Sequence, residues 1–255
     1  MVLVIDVGNT NTVIGLMEGR EVVHTFRVTT LARTTDESGL LFLQLLGNRG
    51  IGADAVDGAI ISSVVPSVLF NLEKACRAYL DVEALVVGRK LKTGVKIRMD
   101  NPREVGADRI VNTVAAFDRW GGPVIVVDFG TATTFDCIRA DGSYLGGVIA
   151  PGYQISAEAL FKRTSKLPRV EPARPAKVIG RNTVHSMQSG LYFGYLELVD
   201  GICRRIQDEM GHPPPKVLAT GGLARFIARG STTIGQVEED LTLLGLKLLW
   251  ERNQS

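Results

Sequence analysis

Leu3-Val4-Ile5-Asp6-Val7-Gly8-Asn9-Thr10-Asn11-Thr12 reads as a buried strand that breaks into a polar turn. The same pattern returns later in the chain as Val126-Val127-Asp128-Phe129-Gly130-Thr131-Ala132-Thr133-Thr134. In both copies apolar residues lead into Asp-x-Gly and then into a Thr/Asn-rich stretch. A second strand follows each turn, Val13 to Met17 and Phe135 to Ile138, and each ends at a Gly-containing turn, Glu18-Gly19 and Asp141-Gly142. A third strand returns near Glu21 to Val28 and near Tyr144 to Ile149. Two halves that open with the same three-strand meander indicate an internal duplication.

Outward from these meanders, each half continues with helices and buried strands. Thr34-Thr35-Asp36-Glu37 has the pattern of a capping box ahead of a helix through Leu46. Ala59 to Val64 reads as a buried strand, Pro66 suits the first turn of a helix to Tyr79, and Leu85 to Val87 is a short strand. Gly106 to Phe117 has helical spacing, with Ile110, Val111, Val114 and Phe117 on one face. In the second half, helices are expected over Gln154 to Lys162, Met187 to Met210 and Val237 to Trp250. A strand from Lys216 to Thr220 ends in Gly221-Gly222, and the Pro-rich stretch Pro168 to Gly180 reads as a loop. The expectation is an α/β protein of two similar domains, 1–119 and 120–255, each a mixed sheet flanked by helices.

Composition narrows the function classes. The chain has 255 residues, 45% apolar and 22% charged, which is the balance of a globular protein. With 29 basic and 27 acidic side chains the net charge is +2, which gives no reason to expect a nucleic-acid or membrane partner. Cys76, Cys137 and Cys203 are widely spaced and odd in number, so buried free thiols in a reducing cytoplasm are expected. The N-terminus reaches Asp6 after five residues and does not read as a signal peptide. No apolar run approaches the ~18 residues of a membrane span.

Four motifs carry possible chemistry. In Asp6-Val7-Gly8-Asn9-Thr10 a carboxylate stands at a sheet edge and glycine lets the backbone approach a ligand. Exposed N–H groups and Thr/Asn side chains there suit phosphate oxygens, while Asp6 suits a hydrated Mg²⁺. A plain hairpin would explain one such turn; two in register argue against it, and they are expected to face one nucleotide across a cleft. The second turn offers Asp128 and Thr131 in the same roles. Asn101-Pro102-Arg103-Glu104-Val105-Gly106-Ala107-Asp108-Arg109 enters a helix whose positive end favours the Asp108 carboxylate, and Arg109 or Arg103 could clamp a substrate carboxylate. In Gly180-Arg181-Asn182-Thr183, a cap by Thr183 is the simplest reading of the residues. His24, His185 and His212 have no spaced partners, and neither a P-loop nor a Gly-x-Ser-x-Gly elbow is present.

Together with Met187-Gln188-Ser189-Gly190 and Thr220-Gly221-Gly222, these motifs resemble the type III pantothenate kinases, in order and over essentially the whole chain. That family lies in the superfamily of acetate and sugar kinases, Hsp70 and actin, so the resemblance implies a duplicated actin-like, ribonuclease H-like fold. It implies ATP-dependent phosphorylation of pantothenate to 4′-phosphopantothenate, the entry to coenzyme A, with ATP, Mg²⁺ and K⁺ or NH₄⁺ as cofactors. Asp6, Val7, Gly8, Asn9, Thr10, Asn11, Thr12 and Val13 match the ATP-binding segment, with Asp6 organising Mg²⁺, and Thr131 matches a further ATP contact. Asp108 matches the proton acceptor; Gly106, Ala107, Asp108, Arg109 and Thr183 match substrate contacts; Asp128 matches the ligand of a monovalent cation. Met99 stands where some members place a substrate-contacting tyrosine, so that contact is not carried over. The resemblance also implies a homodimer, for which part of the apolar face of Leu191, Tyr192, Tyr195, Leu198 and Val199 is the expected surface; from the residues alone, this face reads equally as intrachain core. The alternatives are another small-molecule kinase of the superfamily, or a nucleotide-binding regulatory protein. Against these stand the missing Cys-rich zinc motif of some sugar kinases, the retained Asp6, Asp108 and Asp128, and the absence of a helix-turn-helix pattern.

Overall fold

The computed structural model describes residues 1–88 and 91–254. In chain order the elements are β1 (Val2–Val7), β2 (Asn11–Glu18), β3 (Glu21–Thr29), α1 (Thr35–Gly47), β4 (Gly58–Ser63), α2 (Pro66–Leu80), β5 (Ala84–Val86) and α3 (Ala107–Trp120). There follow β6 (Val124–Phe129), β7 (Ala132–Ile138), β8 (Tyr144–Pro151), α4 (Tyr153–Arg163), α5 (Thr183–Met210), β9 (Lys216–Gly221), α6 (Ala224–Ala228), β10 (Gln236–Val237) and α7 (Leu241–Arg252). They form two units: residues 1–95, 100–118 and 240–255, and residues 96–99 and 119–239.

The first unit is built on a five-stranded sheet in the order β3-β2-β1-β4-β5. β1 pairs antiparallel with β2 and parallel with β4. Its residues alternate between two apolar layers, so both faces must be covered. Leu3, Ile5 and Val7 pack with Phe42, Leu46, Cys76 and Leu80 of α1 and α2. Val2 and Val4 pack with Val111 and Val114 of α3 and with Leu243, Leu246 and Leu249 of α7. Full burial of each such side chain contributes about 1.5–3 kcal/mol. α1 begins at the expected capping box: Glu37 N donates to Thr34 Oγ1 at 3.2 Å and Thr34 N to Glu37 Oε2 at 2.8 Å. The backbone hydrogen bond from Thr34, with that from its hydroxyl, holds the Glu37 carboxyl below its usual range. α2 begins with Pro66 at its first position and stops at Asp81, which has a left-handed backbone (φ 54°).

The second unit repeats this plan. Its sheet runs β10-β9-β6-β7-β8, which is the first order read from the other edge. Ile125, Val127 and Phe129 pack under α5 and α6 with Tyr192, Tyr195, Val199 and Ala224. The duplicated mixed sheets expected from the meanders are therefore present, each flanked by helices.

Four details differ from the sequence reading. α7 was expected in the second domain, yet it covers the first sheet: Gly245 lies so close that an added Cβ would sit 2.2 Å from Val111 O. The units are also not contiguous in sequence. The α5 face expected at a dimer interface is intrachain core, because Leu191, Tyr192, Tyr195 and Val199 all pack on the second sheet. Finally, Val237 belongs to β10 rather than to the last helix.

Candidate active site

The first Asp-x-Gly turn joins β1 to β2. Asp6 is the penultimate residue of β1, half-buried, on the face that continues Val2 and Val4 and is covered by α3 and α7. Val7 is buried; Gly8, Asn9 and Thr10 form the turn, with Asn9 and Thr10 exposed; Asn11, Thr12 and Val13 begin β2. Gly8 N donates to Asn11 O at 3.0 Å, which closes the turn. A residue missed in the sequence holds it from outside. Thr30 Oγ1 donates to Gly8 O at 2.8 Å and lies 2.9 Å from Thr12 Oγ1, while Thr30 N donates to Thr10 O at 3.0 Å. The end of β3 thus ties both sides of the turn through one threonine.

The first turn of α3 lies at the same edge of the same unit. Val64, which follows β4, donates its N–H to Val7 O at 3.1 Å, and a Cβ on Gly106 would come 4.0 Å from Val64 Cγ1. Asp108 folds back over Gly106: an added Cβ there would lie 2.4 Å from Asp108 Oδ1, so glycine makes room for the carboxylate. Asp108 Oδ1 accepts the Arg109 N–H at 2.9 Å. Ala107, Asp108 and Arg109 are all half-buried, so the carboxylate is anchored by backbone yet open to a ligand. Upstream, Asn101 caps a short turn, accepting from Arg103 N at 3.3 Å and donating to Glu104 Oε1 at 2.7 Å, and Arg103 is exposed. Asp6 and Asp108 therefore belong to one edge of the first unit.

In the second unit Asp128 is the penultimate residue of β6, on the face opposite the α5 core. Gly221 (φ 89°) adjoins it: an added Cβ would lie 2.6 Å from Asp128 Oδ1 and 2.8 Å from both Phe129 O and Phe129 N. The glycine leaves a cradle into which a carboxylate and a carbonyl oxygen converge, whereas Gly222 has open space beside it. The turn closes through Gly130 N to Ala132 O at 3.1 Å and leaves Thr131 exposed. It is supported differently from the first. Gly152, just before α4, packs so that a Cβ would be 2.2 Å from Thr131 O and 2.8 Å from Gly130 O. Beneath it the hydroxyls of Thr133 and Tyr195 are hydrogen-bonded, and burial pushes the Tyr195 phenol up. On β7 a fully buried carboxylate, Asp136, accepts from Tyr144 Oη at 2.9 Å and from Thr134 Oγ1 at 3.2 Å.

Thr183 is the first residue of α5 and is exposed. It is not the cap: Asn182 Oδ1 accepts from His185 N at 2.8 Å, so the Thr183 hydroxyl is not committed to that role. Met99 belongs to the second unit and lies beside Gly146, within 3.7 Å of where a Cβ would be. Among the described residues there is no group of three or more His, Cys, Asp or Glu that could hold a metal by itself. Mg²⁺ keeps most of its waters and binds through one or two carboxylates plus substrate phosphates, so an oxygen-only edge with Asp6 fits it and an all-protein cage is not required.

A family model for type III pantothenate kinase matches residues 2–205. A type III pantothenate kinase from Myxococcus xanthus is 56% identical over 256 residues, covering all of both chains. One from Syntrophotalea carbinolica is 55% identical over 255 residues, again covering both chains fully. Among solved structures, a Campylobacter jejuni protein assigned to the Baf family of transcriptional activators superposes with a TM-score of 0.62 at 19% identity, covering 99% of this chain and 98% of that one. The activator of 2-hydroxyisocaproyl-CoA dehydratase from Clostridium difficile, with bound ADPNP, superposes with a TM-score of 0.53 at 11% identity over 99% and 96%. At these identities the solved structures speak for the fold.

Proposed function

We infer that this chain, which belongs to the type III pantothenate kinase family, transfers the γ-phosphoryl group of ATP to the primary hydroxyl of pantothenate, giving 4′-phosphopantothenate and ADP. The observation that carries this reading is the match to that family over residues 2–205, with identities above half along the whole chain. In the transfer, the hydroxyl oxygen forms a bond to phosphorus as the bond to the ADP oxygen breaks, and the hydroxyl proton goes to a base. Such a reaction needs positioning and charge neutralisation more than covalent chemistry.

Asp108 is the base. Its carboxylate is fixed by the Arg109 N–H at 2.9 Å and by its fold over Gly106, so it can be aimed at a hydroxyl without searching rotamers. Gly106, Ala107 and Arg109 line the same helix entry; Arg109 suits the pantothenate carboxylate through paired hydrogen bonds, and Thr183 supplies a further contact. The segment Asp6 to Val13 takes the ATP phosphates, and Thr131 adds a contact from the second turn. Mg²⁺, bound with the nucleotide, neutralises phosphate charge, and Asp6 holds its water shell. Asp128 holds a monovalent cation, K⁺ or NH₄⁺, because its Oδ1 and Phe129 O converge on the cradle left by Gly221.

The assembly is a homodimer. Support for this comes from the edge strand β8 and the segment before α5, where Ile149, Val178 and Ile179 are 64%, 65% and 84% exposed. No helix among the described residues is long and apolar enough to cross a membrane; a cytoplasmic location is supported by three buried free cysteines. A coupled assay of ADP release with ATP, Mg²⁺, K⁺ and pantothenate tests the function: turnover should require all four. Release of ADP independent of pantothenate would overturn it. Light scattering at micromolar concentration tests the dimer, and a monomer mass would refute it.

A further inference from the structure

Ser62 is fully buried, and its hydroxyl has no hydrogen-bond partner among the described residues. An unpaired buried hydroxyl is unfavourable, so its presence asks for a reason. Ser62 lies on β4 directly opposite Asp6 in the parallel register, with Ile60 opposite Val4 one step earlier. Paired residues of parallel strands point to the same face, so Ser62 and Asp6 share the face covered by α3. Strands lie about 4.8 Å apart, which brings the Ser62 hydroxyl within reach of the Asp6 carboxylate by rotation about one bond. The second unit repeats the arrangement: Thr220, also buried, stands opposite Asp128 in the same register. Both strand-end carboxylates thus have a buried hydroxyl on the neighbouring parallel strand. By contrast, Ser63 is spent locally, bridging Val65 N at 3.0 Å and Val65 O at 3.1 Å.

We propose that Ser62 is a positioning residue for the metal–nucleotide: its hydroxyl donates to the Asp6 carboxylate when that group turns to the water shell of Mg²⁺. The hydrogen bond fixes one carboxylate oxygen and leaves the other for the metal's water. It forms with the metal–nucleotide present and gives the buried, unpaired hydroxyl its partner. The inference rests on the placement of the phosphate site at Asp6.

The test measures binding of Mg-ADP, and of ADP in EDTA, by calorimetry for the full chain and for Ser62→Ala, Ser62→Thr and Asp6→Asn, together with ligand-free thermal melts. Ser62→Ala should melt no lower than the parent, because it removes an unpaired buried group. It should bind Mg-ADP about tenfold more weakly, the size expected for a hydrogen bond to a charged group. Binding of ADP in EDTA should not change, and Ser62→Thr, which keeps the hydroxyl, should recover most of the Mg-dependent loss. Unchanged Mg-ADP affinity in Ser62→Ala, with Asp6→Asn impaired, overturns the role of Ser62 alone. An equal loss with and without Mg²⁺, or a lowered ligand-free melt, makes Ser62 a structural residue. Unchanged affinity in Asp6→Asn overturns the phosphate-site reading itself.

Discussion

The two Asp-x-Gly turns descend from one pattern and sit at equivalent places in equivalent sheets, yet they are held by different means. The first is tied by side chains: Thr30 reaches across from the end of β3 to Gly8 O and Thr12 Oγ1. The second is wedged by backbone: Gly152 packs against the carbonyls of Gly130 and Thr131, and Gly221 packs against Asp128 and Phe129. A hydrogen-bonded tie can lengthen by small amounts, whereas a backbone wedge has no slack. The difference teaches that duplication fixed the position of each carboxylate while leaving each unit to find its own support. It also separates roles, because the first unit brings a second carboxylate, the half-buried Asp108, to the edge beside its turn, whereas Asp136 of the second unit is fully buried and bonded to Tyr144 and Thr134.

The largest expected effect tests that separation. Asp108→Asn keeps the size of the side chain and an oxygen to accept the Arg109 N–H, but it cannot take a proton. It should lower kcat by roughly 10²–10⁴-fold, with pantothenate and ATP affinities much less affected. Steady-state kinetics beside calorimetry decide the point. An intact rate makes Asp108 a helix-end anchor only, and a parallel loss of rate and binding makes it a substrate anchor.

A methyl group distinguishes wedge from tie. Gly152→Ala would place a Cβ 2.2 Å from Thr131 O, so the second turn must move; Gly8→Ala meets Asn11 O at 3.1 Å, where a few tenths of an ångström suffice. Overpacking of the first kind costs about 1–3 kcal/mol. Gly152→Ala should therefore lower the melting temperature of the ligand-free protein more than Gly8→Ala does. Equal shifts in the melts would mean that the second turn is as pliable as the first.

The position of each carboxylate was legible because Asp-x-Gly interrupts an apolar run, and the repeat made one reading into two. The supports were not legible, because they are long-range. Thr30 lies in a Thr-rich stretch that reads as an ordinary strand end, and only the β2–β3 pairing brings it to Gly8. Gly152 follows Pro151 and reads as a turn glycine, although its role is close approach. Asp136 was readable in principle, since an acid between Phe135 and Cys137 inside an apolar strand demands a partner; nothing local identifies Tyr144. α7 was placed in the wrong unit for the same reason: its helical spacing is local, but its contact with α3 is not.

The side-chain tie has its own test. Thr30→Val preserves shape and removes the hydrogen bonds to Gly8 O and Thr12 Oγ1. Each such bond contributes about 0.5–1.5 kcal/mol, so ATP affinity should fall by roughly tenfold if the turn's conformation sets phosphate binding. Thr30→Ser should recover it, and kcat at saturating ATP should stay near the parent value. A lowered melt with unchanged ATP affinity would reduce Thr30 to a purely structural clip.

The smallest effect reads the stability of the two supports without touching either. Cys76 lies in the core of the first unit, and Cys137 and Cys203 lie in that of the second; all three are buried and free. Burial pushes the Cys76 and Cys137 thiols up to about 12 and the Cys203 thiol up to about 11. At pH 8 the folded protein therefore presents no reactive thiolate, and a thiol reagent should modify it only through opening of the unit concerned. Modification should be slow, and because the second turn is wedged by backbone, Cys137 and Cys203 should react together and after Cys76. Peptide mass mapping over a time course gives the order. If Cys137 and Cys203 react first, the backbone-wedged unit is the less stable of the two, and close packing around its turn confers local rigidity without global stability.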